Sequence, residues 1–369
     1  MALLSSYRRP WALAVFGVLL IPLAGLLVSD RFKAAASFPQ QWWHDPSRKL
    51  APAIDANFGF RDPALTLYGR YRHALRSPPT RQVFYGKDNQ LFYGQGRAVQ
   101  QSTGSLFRKK DMDRFIGMGV MLNDVIAGYG GRLIVGSPPN AQTSLAHLLP
   151  NWAKRPENKA LEYDYVFNGL ARAGIKTVDL RLLIETAQRD SPVYLQTDTH
   201  WNNRGALLAF NAIMEHVGRR DLKIAPSEAL DPTQVGSGGD LAIFLSLSSV
   251  LKDPFYVPWK LEMTARTTVR DLVPLPGHDW NYAFETPRDG ASILVIGDSF
   301  TAMIWRPLLE RVARRVHWVH MQGCRSNWEE ARKLSPEIVI ILPTERHLGC
   351  RGSAWPKGLP RVSSQAGKA

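Results

Sequence analysis

Cysteine is scarce in this chain: its 369 residues include two, Cys324 and Cys350, so at most one internal bridge can form. An even pair is consistent with one disulfide in an oxidising compartment, and two free buried thiols are the alternative. Acidic side chains are outnumbered, 32 Asp and Glu against 46 Lys and Arg, for a formal net charge of +14. That balance suits an anionic neighbour such as nucleic acid, a membrane surface or an acidic polymer, and charge alone does not choose among them. No His-Glu-x-x-His stretch occurs. Helix-borne metal hydrolysis of that kind is therefore excluded, and His317 and His320, three apart on a predicted strand, face opposite ways. The glycine runs "GYGG" and "GSGGD" do not stand between strand and helix as a dinucleotide site requires. Tandem repeats are absent.

What remains is ordinary globular composition, 45% hydrophobic and 21% charged, with length for one large domain or two small ones. One apolar run stands apart, "WALAVFGVLLIPLAGLLV" from Trp11 to Val28, preceded by Arg8 and Arg9. As a helix it would reach about 27 Å, barely one bilayer crossing. Basic residues before such a run read as an export signal or signal-anchor. The small residues Ala34 to Ala36 stand several positions beyond its end, which favours an uncleaved anchor over 1–36, with a linker over 37–57.

After the linker, "NFGFRDPALTLYGRYRHAL" has Leu65, Tyr68, Arg72 and Leu75 at helical spacing, with Pro63 in a tolerated first-turn position. "RQVFYGKDNQLFYG" reads as a hairpin turning at Lys87 to Gln90. From residue 112, helix and strand alternate: helix to Gly130, strand "RLIVGSPP", helix to Gly174, strand "IKTVDLR", helix "LLIETAQR", then strand "VYLQTD" and a helix from about Asn203 to Val217. The pattern resumes with strand "ASILVIGDS", helix "FTAMIWRPLLERVARR", strand "VHWVH", helix "NWEEARKL" and strand "EIVIILP". Alternation of this kind predicts an α/β domain over 58–355, a parallel sheet with helices on both faces and ligands at the strands' carboxyl ends. Residues 221–290, rich in Pro, Gly and Ser, read as a β/loop insertion, and 356–369 as a flexible tail.

Two motifs fall at predicted strand ends. In "ILVIGDSF", Gly297 allows a sharp turn and Ser299 lands at the junction with the next helix, whose first N–H groups point where an oxyanion would form. A plain helix cap by Asp298 or Ser299 is the bland alternative. In "TDTHWNN", an extended chain would project Asp198 and His200 to one side. A carboxylate beside an imidazole can set its tautomer and stabilise its protonated form, although a buried histidine contented with a local acid would look the same. Asn202 suits a helix N-cap. Together the motifs supply nucleophile, base and orienter.

The pair resembles the alginate O-acetyltransferase family typified by AlgJ and AlgX, whose catalytic domain is SGNH-hydrolase-like. Its Asp-Thr-His-Trp signature matches Asp198 to Trp201, and its Gly-Asp-Ser-Phe block matches Gly297 to Phe300. Weaker likeness lies in "GFRD" at 59–62, "YGKDNQLFYG" at 85–94, "SPPN" at 137–140, "GDLA" at 239–242 and "PTER" at 343–346. As in that family, Asp198 and His200 precede Ser299, so the motif order is circularly permuted relative to ordinary SGNH esterases. With about 25 residues after the last strand, the architecture resembles AlgJ and leaves no room for the carbohydrate-binding module of AlgX. Asn140 stands where similar sequences often have Lys.

The resemblance implies acetyl transfer through a Ser299 acyl-enzyme to hydroxyls of an exported polysaccharide, in the periplasm, with a membrane-bound O-acyltransferase as donor partner and no cofactor or metal. Asn140, Trp201, Gly297, Asp298 and Arg325 are further candidates for binding substrate or oxyanion, and Trp201, Trp280 and Trp305 for stacking on a pyranose. An acetylesterase with the same triad, or a silent polysaccharide-binding subunit, are the rival readings. Nucleic acid is not expected as a partner.

Overall fold

The apolar runs become the middle of a seven-stranded sheet. In the computed structural model, which describes residues 3–28, 45, 48, 60–78, 80–154, 156, 159–260 and 269–360, strands β1 (Val83–Tyr85) and β2 (Leu91–Tyr93) form the expected hairpin. Asp88 and Asn89 both have positive φ, 50° and 59°, the turn geometry that Asp and Asn tolerate. Strands β3 (Arg132–Ser137) and β4 (Thr177–Asp179) follow, then a small antiparallel pair, β5 (Gln234–Ser237) and β6 (Lys252–Tyr256). The remaining strands are β7 (Arg270–Asp271), β8 (Tyr282–Glu285), β9 (Ala291–Gly297), β10 (Ala313–His320) and β11 (Ile338–Leu342).

The large sheet has the order β4-β3-β11-β9-β10-β8-β7. Its first five strands are parallel, whereas β8 and β7 add antiparallel at one edge. The sheet is thus mixed, because the tract expected to be a separate insertion lends it two strands. Alternate residues feed two cores. Ile134, Val295 and Ile340 pack on one face with the helix Asn203–Val217, and Val135, Leu294 and Val339 on the other with the helices Lys109–Ala127 and Glu162–Arg172. Burying each such side chain contributes about 1.5 to 3 kcal/mol before entropy is counted.

Contacts divide the chain into Met1–Pro79 with Leu245–Leu247, and Thr80–Phe244 with Ser248–Ala369. In the first unit, Leu3–Val28 and Arg61–Ala74 are helices. Among the described residues no helix is long and apolar enough to cross a membrane. The expected span is therefore not carried by them: described apolar side chains run from Trp11 to Ile21, about half a bilayer crossing. Trp11, Leu13, Phe16 and Leu19 are all exposed. The run Ala34 to Ala36, the linker apart from residues 45 and 48, most of "LEMTARTTVR" and the tail beyond Pro360 lie outside the described residues.

Cys324 and Cys350 form a disulfide with a Cα–Cα distance of 5.1 Å. It ties the loop after β10 to the segment after β11.

Candidate active site

β11 lies between β3 and β9, so three loops from distant parts of the chain meet at one end of the sheet's centre. Asn140 follows β3, Asp298 and Ser299 follow β9, and Glu345 to His347 follow β11. Parallel strands present their carboxyl ends together there.

The loop Asp198–His200 is not the end of a strand. "VYLQTD" makes one isolated bridge, Tyr194 to Trp201, and otherwise bends. Asp198 and His200 still meet, through a local turn in which Asp198 Oδ1 accepts from the His200 backbone N–H at 2.9 Å and pairs with Nδ1 at 2.6 Å. Burial alone would raise the Asp198 pKa, but the hydrogen bond and charge of His200, together with the N–H donors of Asp240 and His200, hold the carboxyl below its ordinary value. With Nδ1 occupied, His200 Nε2 is buried and without a hydrogen-bond partner. Its ring lies 4.9 Å from that of Phe300, the residue after Ser299.

Asp240, at the start of the helix Asp240–Phe244, is a member that sequence reasoning missed; the "GDLA" likeness was its only signal. It accepts from the Thr199 N–H at 2.7 Å and the Thr199 hydroxyl at 2.5 Å, and its own N–H donates to Asp198 Oδ2 at 2.9 Å. Burial, then the Asp198 charge, pushes its carboxyl up. Ligand atoms of Asp198, His200 and Asp240 lie within 4.8 Å of one another. Asp198 and Asp240 are already hydrogen-bonded to His200 and Thr199, so a cation would have to break the pairing that orients the imidazole.

Ser299 is half-buried on a turn that runs to Ile304, and the next helix starts only at Arg306. The expected helix from Phe300 is thus delayed by a turn. Its first N–H groups do not point into an oxyanion site, because Asp298 takes them. Phe300 N donates to Asp298 Oδ1, and Thr301 N and Ala302 N donate to its backbone carbonyl. Gly297 is required for space rather than for φ, since a Cβ there would lie 2.3 Å from Thr301 Oγ1.

Asp298 is buried at the edge of a cleft. Its carboxylate accepts from Thr344 N at 2.8 Å, Thr344 Oγ1 at 2.9 Å and His347 Nδ1 at 2.7 Å. Burial opposes its ionisation, yet the His347 hydrogen bond and the charges of His347 and Arg346 hold it far below the usual carboxylate range. His347, which sequence reasoning did not single out, shares a cleft of about 290 Å³ with Asp298, His320, Gln322, Arg325 and Arg351. His320 stacks on His278 at 4.2 Å beside the exposed Trp280, and burial, then the His278 charge, lowers its pKa to about 4.

The other candidates separate. Trp201 and Trp305 are core side chains, 1% and 0% exposed, so neither can stack on a sugar. Asn140 is fully buried: its N–H donates to Glu345 Oε2 at 2.7 Å and its amide nitrogen to Ser102 Oγ at 3.3 Å. Arg325 reaches the cleft and is exposed. Asn202 caps its helix by accepting from Gly205 N.

A sheet with Gly-Asp-Ser at the end of a central strand and an Asp-His pair on a facing loop defines an SGNH hydrolase-like α/β domain. Residues 83–326 match the family described as "SGNH hydrolase-like domain, acetyltransferase AlgX", and the chain belongs to that family. It is 29% identical over 279 residues to the probable alginate O-acetylase AlgJ of Pseudomonas aeruginosa, an alignment covering 72% of this chain and 66% of that protein. Among solved structures, it resembles the O-acetyltransferase domain of Pseudomonas putida AlgJ, at 20% identity and TM-score 0.44 over 72% of this chain and 91% of the domain. A DHHW family protein from Eubacterium siraeum shares the fold at 14% identity and TM-score 0.50, over 73% of this chain and 93% of that one.

Proposed function

We infer that this chain transfers an acetyl group through Ser299 onto hydroxyls of an extracytoplasmic polysaccharide, alginate-like or another. One observation carries the reading: His200, with Nδ1 held by Asp198 and Nε2 bare, packs on the residue next to Ser299. In that tautomer Nε2 is an acceptor and suits a general base. His200 takes the Ser299 proton as Oγ attacks the acetyl carbonyl, the donor alcohol leaves with that proton, and a sugar hydroxyl then attacks the acetyl-serine. No hydrogen bond joins Ser299 to Nε2 here. Such contacts commonly tighten only when substrate binds.

The disulfide supports work outside the reducing cytoplasm. The exposed apolar side chains of Leu3–Val28 suit a tether to the inner membrane, near a membrane-bound O-acyltransferase that would hand over the acetyl group. The net charge of +14 suits an anionic acceptor.

The test compares wild type with Ser299→Ala on a chromogenic acetyl ester, with and without an oligouronate. Ser299-dependent release and acetylated oligosaccharide are expected. Release without transfer would make the protein an esterase, and a Ser299→Ala variant that still acetylates polymer in cells would end the acyl-enzyme reading.

A further inference from the structure

Arg346 is 7% exposed, and its charge acts on the nearby Asp298 without a direct ion pair. Its guanidinium lies over two rings, Cζ 5.4 Å from the Tyr93 centroid and 5.1 Å from that of Phe300. Among the described residues its side chain makes no hydrogen bond or ion pair. The nearby Asp298 has no room for it, being occupied by Thr344, His347 and Phe300 N. The donors of this largely buried guanidinium thus lie beside aromatic rings with no protein acceptor. Asp298 offers this cation a charge but no direct bond, so the guanidinium keeps its donors for an anion that arrives.

Phe300 fixes where that anion would be. Its ring centroid lies 5.1 Å from the Arg346 Cζ and 4.9 Å from that of His200, and its backbone joins it to Ser299. Several neighbouring donors are already engaged: Phe300, Thr301 and Ala302 give their N–H groups to Asp298, and the Asn140 amide donates to Ser102, which leaves the Ser299 N–H and a side-chain donor to meet an oxyanion. On the acyl-enzyme reading above, we propose that Arg346 is a catalytic residue, the side-chain donor that stabilises the oxyanion formed at Ser299. When Oγ attacks the acetyl carbon, the carbonyl π pair moves onto oxygen while His200 takes the proton. The guanidinium meets that negative oxygen until the C=O re-forms and the leaving alcohol departs with the proton. A largely buried, preorganised cation is suited to charge that appears only in the transition state.

Arg346→Met keeps the apolar stem without the charge, and Arg346→Lys keeps the charge without the fork. On p-nitrophenyl acetate without acceptor, Arg346→Met should lose about 10²- to 10³-fold in kcat. Its KM should stay within about twofold, the Lys variant should fall between, and millimolar guanidinium should partly restore the Met variant. Met-variant kcat within about threefold of wild type overturns the assignment. So does full acetyl release with loss only of transfer to an oligouronate, which would make Arg346 an acceptor-binding residue. If the Met variant does not melt cooperatively, the Lys variant decides, and wild-type kcat there overturns the proposal. Ser299→Ala run alongside separates the failures: wild-type release independent of Ser299 removes the acyl-enzyme, and the role of Arg346 falls with it.

Discussion

His347 donates from Nδ1 to the Asp298 carboxylate at 2.7 Å, so the residue preceding the candidate nucleophile is itself half of a carboxylate–imidazole pair. The site therefore contains two such pairs, Asp198–His200 and Asp298–His347, of which the first has an unpartnered, buried Nε2. Asp298 also anchors the turn and the loop after β11, which gives its pair a structural task.

Asp298→Asn should separate stability from chemistry. Removing the charge from a buried, fourfold-bonded carboxylate should cost about 3 to 5 kcal/mol, measured by urea unfolding at pH 7. Because its folded pKa is depressed, its contribution is present above the ordinary aspartate range and lost as pH falls through the folded value. The wild-type advantage over Asn should accordingly shrink below about pH 4.

The two histidines should differ in kind. His200→Ala should lower acetyl release about 10³- to 10⁴-fold, whereas His347→Ala should lower it less than about tenfold while reducing the melting temperature. Equal losses from both would mean that the base has been misassigned.

Gly239 has no space for a methyl group. A Cβ there would lie 2.3 Å from Asp198 Oδ2. Gly239→Ala should displace the carboxylate that orients His200, costing about 10²-fold in kcat with circular dichroism unchanged. Wild-type kcat in a folded variant would show that Asp198 placement is not critical.

Glu345 carries the opposite pH signature. Burial raises its carboxyl above the ordinary value, against the hydrogen bonds from Thr143 and the Asn140 N–H. A raised folded pKa contributes stability that is present below the unfolded value near 4.5 and lost as pH rises through the folded one. Glu345→Gln should therefore gain in melting temperature relative to wild type as pH is raised from about 5 to 8. A pH-independent difference would contradict this.

Sequence periodicity located elements whose burial is continuous. β3, β9 and β11 are apolar runs with no competing signal, and the helix Asn203–Val217 has both its cap and its stop glycine, Gly218, in sequence. It misplaced elements set by tertiary pairing. "VYLQTD" has strand composition but no sheet neighbour, and β8 joins the large sheet from a Pro- and Gly-rich tract because β10 offers it an edge. The Asp198–His200 pair was legible because it is local. Asp240 and Arg346 were marked only by the weak "GDLA" and "PTER" likenesses and His347 by nothing, since their placement depends on β11 lying beside β9 and on Gly239 abutting Asp198.

The central position of β11 has a consequence for how the protein comes to be active. It is the last strand described, yet it separates β3 from β9 and carries Arg346 and His347 on the loop that follows it. Until those residues have emerged, the two halves of the sheet have no partner in common and Asp298 has neither Thr344 nor His347. On the acyl-enzyme reading proposed above, the turn that carries Ser299 gains its anchors only after the chain through His347 has been made, so the site would be among the last parts of the sheet to settle.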